Sequence, residues 1–301
     1  MSVWSFDYDP HARFIAPAHG AAQLWRLCFG LVLAAGLFLV LTQLLFNTLF
    51  QVMEPGAVDA IMEDGQTGQS ATGMFILLFQ LGLLGVSAAL VVIMVHKRRP
   101  VTLIGEPGLA LRQFIVVVLA MLLLTAAIWV LPPYDMGGPL ERNMGLGRWL
   151  LLLPIALVAV LIQSGAEEVF FRGYIQQQLA ARFRSPLVWM IAPAALFGMA
   201  HYLPDSAGSN AWTIVAWATM FGVLMADLTA RAGTLGPAIA VHFVNNLSAM
   251  VITSVPDEMS GLALYVLPFG MGDEAQMAAW LPVDFGFMLV SWLVARLAIR
   301  A

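Results

Sequence analysis

Residues Trp149–Arg172 read WLLLLPIALVAVLIQSGAEEVFFR. From Trp149 to Ile162 no side chain is charged, and the apolar run reaches Phe171 with Glu167 and Glu168 set side by side near its end. A helix crosses the bilayer core with roughly 20 apolar residues, so this stretch has the length of a membrane span. A barrel strand would alternate polar and apolar residues over about ten positions, whereas this run is continuous, and a helix satisfies its backbone polar groups within one segment. One ionised group at mid-bilayer costs about 2.5–3.5 kcal/mol, so two adjacent carboxylates need partners or a purpose.

The same signature recurs along the chain. Of 301 residues, 60% are hydrophobic and only 11% charged, with a mean hydropathy of +0.85; a soluble domain carries about 25% charged residues. Apolar runs fall at about 24–50, 73–95, 111–131, 149–171, 186–201, 212–228, 235–252 and 281–298. The expected fold is an all-α polytopic membrane bundle of about eight helices, with a polar tail at 1–23 and a single bundle over 24–300. The first run is too long for a signal-peptide core and reads as a retained helix. The fifth, sixth and seventh runs are short, which predicts tilt or burial within the bundle. The fourth is predicted to continue as helix to about Leu179, because the next strong stop is Pro186.

Eight spans place every Lys and Arg except Arg142 and Arg148 on one side of the membrane. Glu54, Asp59, Glu63, Asp64, Asp135, Glu141, Asp205, Asp257, Glu258, Asp273 and Glu274 crowd the other. The positive-inside rule then predicts that both termini are cytoplasmic, in a multi-pass protein of the kind found in a bacterial inner membrane. The single cysteine, Cys28, excludes an intrachain disulfide, and nothing points to a nucleic-acid partner. No internal repeat is detectable, which disfavours an inverted-repeat transporter.

Glu168 and Arg172 stand four apart with the acid first, the favourable order for an intrahelical ion pair. Glu167 is rotated about 100° away and is free to face a cavity. Gln163 and Ser164 lie one turn before the two acids. His201 ends the fifth run one turn after Phe197; His242 lies in the seventh, with Asn245 and Asn246 both close to its face. Asp227 and Arg231 read as an interfacial ion pair, and Ala218, Gly222 and Ala226 as a small-residue stripe for close helix packing. Pro154 and Pro193 are expected to kink spans four and five. His11, His19 and His96 read as surface residues.

Glu167-Glu168-Val-Phe-Phe-Arg172, Phe197-Gly-Met-Ala-His201 and His242-Phe-Val-Asn-Asn246 match the patterns E-E-x-x-x-R, F-x-x-x-H and H-x-x-x-N. Their order on separate helices resembles the CPBP family, the type II CAAX prenyl endopeptidases and their bacteriocin-processing relatives, over about residues 150–250. The resemblance implies an intramembrane endopeptidase acting on a peptide or membrane-anchored, prenylated-type protein. It implies Glu167 as the base that activates water, His201 positioning or sharing that water, and His242 with Asn246 stabilising the oxyanion, with Glu168, Arg172, Phe197 and Asn245 in support. No cofactor is expected. A zinc ion on Glu167, His201 and His242 is the less favoured alternative, since H-E-x-x-H is missing. Two other functions fit the same chain: a non-catalytic immunity or partner-binding factor, and an ion-coupled transporter.

Overall fold

The structure is a computed structural model and describes residues 8–54, 56, 68–131 and 138–300. It is mostly helical, and six of the described helices are long and apolar enough to cross a membrane. A short helix α1 (Asp9–Ile15) is followed by α2 (Leu24–Val52), α3 (Ala71–Met94), α4 (Pro107–Val130) and α5 (Leu146–Glu168). Helix α5 runs on without a break through a π-helical segment, Val169–Gln176, to Gln177–Arg182. A π turn at Leu187–Ile191 leads into α6 (Ala192–Met199), and α7 (Ala211–Ala232), α8 (Gly236–Leu247) and α9 (Glu274–Ile299) complete the order.

The sequence explains where these helices begin and end. Ser70 accepts from the Gly73 N–H at 3.0 Å to start α3, and Glu106 accepts from the Gly108 and Leu109 amides ahead of α4, whose first residue is Pro107. Helix α7 stops at Gly233, which adopts the left-handed conformation at φ 68° and returns its N–H to the Thr229 carbonyl.

Predicted spans one to four and the last fall on α2, α3, α4, α5 and α9. The fifth and seventh correspond to the shorter apolar helices Pro186–Met199 and Gly236–Ile252. The sixth is not short, because helix covers most of Pro204–Ala232, a 29-residue apolar stretch. Span four does continue, to Arg182. Pro154 lies inside α5 and Pro193 inside the helix Pro186–Met199, as expected, the latter just after the π turn in the first turn of α6.

Helix α7 is the centre of the bundle: 61% of its most apolar window is buried, against 11% for α2 and for α4. The outer helices turn large apolar side chains outward, with Val32 and Leu123 each 73% exposed, as lipid contact requires. Helix α6 packs on α7, α3 on α5, and α8 against α4 and α5. Ala218 and Ala226 are buried, and a Cβ on Gly222 would lie 2.8 Å from the Ala194 Cβ, so the small-residue stripe does bring α7 close to α6.

Two readings of polar residues are corrected. His11 and His96 are buried, not at the surface, because residues 8–21 fold back onto the bundle. Gln177 Nε2 donates to the Phe14 carbonyl at 2.7 Å, the His96 ring bonds the Ala21 carbonyl at 3.2 Å, and the His11 ring lies 4.5 Å from that of Trp189. His19 is exposed as predicted. The expected Asp227–Arg231 pair forms and is buried, and Asp227 also accepts from Tyr8 Oη at 2.8 Å and Trp292 Nε1 at 3.0 Å. Asp59, Glu63, Asp64 and Asp135 lie outside the described residues.

The loop at 253–272 carries structure that hydropathy does not signal. Strand β1 (Glu141–Arg142) pairs antiparallel with β3 (Tyr265–Val266), which pairs in parallel with β2 (Thr253–Ser254). This small sheet ties the loop after α8 to the lead-in of α5.

Candidate active site

Helix α5 supplies the acids. Burying Glu168 and Arg172 in a membrane bundle is tolerable only as a pair, and Arg172 Nη1 lies 2.9 Å from Glu168 Oε1 with both side chains almost wholly enclosed. The guanidinium also sits 4.9 Å from the Phe197 ring centroid and 5.8 Å from that of Phe171, where the ring faces offer it further stabilisation. Glu168 Oε2 and Arg172 Nη2 have no hydrogen-bond partner among the described residues. The pair falls where α5 passes into its π-helical segment, a deformation frequently found at functional sites.

Helix α8 supplies His242, which touches both acids. Its Nδ1 lies 2.8 Å from Glu168 Oε1 and its Nε2 3.5 Å from Glu167 Oε2. A carboxylate only accepts, so Nδ1 carries a proton toward Glu168 and Nε2 is the ring position turned to Glu167. Glu168 is therefore shared between Arg172 and His242, an additional partner that spacing alone did not predict.

Glu167 is held differently. Gln163 Nε2 donates to Glu167 Oε1 at 2.8 Å, while Oε2 lies 3.5 Å from His242 Nε2. Its side chain keeps 12% exposure where that of Glu168 has none. Gln163 also accepts from Asn246 Nδ2 at 2.9 Å and from Ser164 Oγ at 3.2 Å. One amide thus links the first acid of α5 to the asparagine of α8. Sequence reading placed Gln163 on the right face; its bridging role depends on the α5–α8 contact and had no local signal.

Asn246 rather than Asn245 belongs to this network. Asn246 is buried and bonds Gln163, whereas Asn245 is half-buried and among the described residues reaches Asn246 Oδ1, at 3.5 Å. An amide nitrogen has two donors, so one N–H of Asn246 is left after the bond to Gln163.

His201 stands just past the end of α6. Its Nδ1 donates to the Phe197 carbonyl at 2.8 Å, which leaves Nε2 as the open ring nitrogen. No hydrogen bond joins His201 to Glu167, His242 or Asn246 among the described residues. The link is Phe197, whose ring centroid lies 4.5 Å from that of His201 and 6.1 Å from that of His242, with Phe171 and Phe221 packed around it. Phe197 thus packs against both histidines and beneath Arg172.

For a metal, the donor set is poorly arranged. Among the described residues no group of three His, Cys, Asp or Glu side chains is placed to hold an ion. What the arrangement offers is a carboxylate oxygen 3.5 Å from an imidazole nitrogen, with the Asn246 amide linked to the same acid through Gln163 and aromatic rings packed around His242. Water beside Glu167 would meet a proton acceptor with an imidazole nitrogen close by.

Comparison with known proteins gives two results. Residues 149–248 match the family described as type II CAAX prenyl endopeptidase Rce1-like. The chain is also similar to the uncharacterized protein YyaK of Bacillus subtilis (strain 168), with 26% identity over 247 residues that cover 78% of this chain and 79% of that protein. No solved structure matches the chain.

Proposed function

We propose, from the premise that residues 149–248 form an Rce1-like type II CAAX prenyl endopeptidase domain, that the protein is an intramembrane endopeptidase. It hydrolyses a peptide bond in a membrane-associated or prenylated-type protein, using water activated by Glu167. The observation that carries this reading is the inequality of the two acids: Glu168 is enclosed between Arg172 and His242 at 2.9 and 2.8 Å, while Glu167 Oε2 has the looser 3.5 Å approach of His242 Nε2 and its side chain keeps 12% exposure.

Glu167 takes a proton from water as its oxygen attacks the scissile carbonyl carbon. The carbonyl oxygen becomes an oxyanion and receives hydrogen bonds from His242 Nε2–H and the remaining N–H of Asn246. The formal charges of Glu167, Glu168 and Arg172 sum to −1, so His242 protonated on both nitrogens leaves the cluster neutral. When the C–N bond breaks, the proton held by Glu167 passes to the leaving nitrogen. His201 holds the attacking water through its open Nε2, and Phe197 and Phe171 keep bulk water out.

Twelve of the chain's Lys and Arg, 14 less Arg142 and Arg148, would face the cytoplasm in an eight-span arrangement with both termini inside, as in a bacterial inner membrane. Peptidomics of cells expressing wild type or Glu167→Gln tests the reading and names the substrate. Products present with the wild type and lost in the variant are expected. A cellular phenotype that survives Glu167→Gln and His201→Ala unchanged would instead mark a non-catalytic binding factor.

A further inference from the structure

A cleft of about 1150 Å³ lies among α4, α7, α8, α9 and the 253–271 loop. None of Glu167, Glu168, His201, His242 or Asn246 lines it, although Asn245 does. Ligand pockets commonly run from about 300 to 1,000 Å³, so this one has room for a drug-sized or chain-like molecule. Its walls are largely apolar, with Trp217, Trp280 and Phe287 prominent.

Among the described residues, the charged lining side chains are both acidic: Asp284 and Glu258. No Lys, Arg or His is among the described lining residues. Asp284 lies ten residues (284 − 274) inside the start of α9 and fifteen (299 − 284) before its end, so it falls in the middle of a candidate membrane span. An ionisable group at that depth costs about 2.5–3.5 kcal/mol on insertion scales, and such groups face the bundle interior or a cavity and mark ligand or ion sites. The catalytic reading makes no use of Asp284.

We propose that this cavity binds an amphipathic cation, an apolar chain ending in a single ammonium, with the ammonium on Asp284 and the chain along Trp217, Trp280 and Phe287. Both halves of the cavity's chemistry are then matched. A neutral chain leaves the acid without a counter-charge, an anionic one meets two carboxylates, and a zwitterionic phospholipid brings its phosphate toward the same acids.

The probe is radiolabelled dodecylamine, measured for saturable binding to the full chain in phosphatidylcholine nanodiscs. Dodecanol and sodium dodecanoate serve as competitors. Wild type should bind about one equivalent, and Asp284→Asn should weaken that binding by about tenfold or more, the effect of losing a charge-assisted contact. Dodecanol and dodecanoate should displace the amine poorly. Asp284→Glu should restore amine binding, and Ala249→Phe, which fills the cavity and leaves Asp284 in place, should abolish it. Comparison of folded yield separates these effects from misfolding. Lack of saturable binding to wild type, equal affinity in Asp284→Asn, or equally good displacement by dodecanol overturns the proposal.

Discussion

His242 stands between two carboxylates, with Nδ1 2.8 Å from Glu168 Oε1 and Nε2 3.5 Å from Glu167 Oε2. One ring thereby joins the ion pair inside α5 to the more loosely held acid. The two adjacent glutamates divide into an acid that orients and an acid that is free to react.

Removing one member of the buried pair strands the other. Glu168→Gln keeps the shape but takes from Arg172 the carboxylate it contacts at 2.9 Å in an enclosed site, and breaking such a buried pair typically costs about 3–5 kcal/mol. Thermal unfolding in detergent should show a large loss for this variant, and a smaller one for the double variant Glu168→Gln with Arg172→Met. A double variant no more stable than the sum of two independent losses contradicts the pairing.

Gln163 holds both Glu167 and Asn246. Gln163→Leu should therefore lower the cleavage rate by about 10- to 100-fold through misplacement of reacting groups, with little change in folded yield. Unchanged turnover in this variant removes Gln163 from the positioning network.

Helices α6 and α7 meet at Gly222, where an added Cβ would lie 2.8 Å from the Ala194 Cβ and 3.3 Å from Arg172 Nη2. Gly222→Ala should destabilise by about 1–3 kcal/mol through overpacking and should disturb Arg172 as well. Size-exclusion yield and melting temperature measured beside activity check this; a fully stable variant shows that the helices can separate without cost.

His11 supplies a pH dependence. Its burial against Trp189 and Phe14 lowers its pKa from 6.5 to about 4. The folded chain thus binds fewer protons than the unfolded one between those values, and stability rises with pH there. The contribution is fully present above pH 6.5 and is lost as the pH falls toward 4, with a total on the order of 3 kcal/mol. His96, likewise lowered to about 4 by burial, acts in the same direction. His11→Phe should flatten the slope of melting temperature against pH between 7 and 5; identical slopes for variant and wild type contradict it.

Much of this molecule can be read from hydropathy, because a membrane helix declares itself in about 20 consecutive residues. The extension of α5 past Arg172 was legible from the lack of any strong helix stop before Pro186. The Glu168–Arg172 and Asp227–Arg231 pairs were legible from their i, i+4 spacing. What escaped were relationships between elements. His11 and His96 lie in polar stretches, and only the folding back of residues 8–21 buries them. The bridge from Glu167 through Gln163 to Asn246, the small sheet at 253–266 and the placing of Asp284 in a cavity wall all depend on contacts between segments far apart in the chain.

The central claim is that Glu167 activates the water that cleaves the substrate. Its most direct test is to incubate purified wild type and Glu167→Gln, reconstituted at equal folded yield, in oxygen-18 water with the substrate identified by peptidomics. Mass spectrometry then reads the new C-terminus. The account predicts one oxygen-18 atom in the product carboxylate with wild type and no product above background with Glu167→Gln. Product formed by Glu167→Gln at the wild-type rate would contradict it.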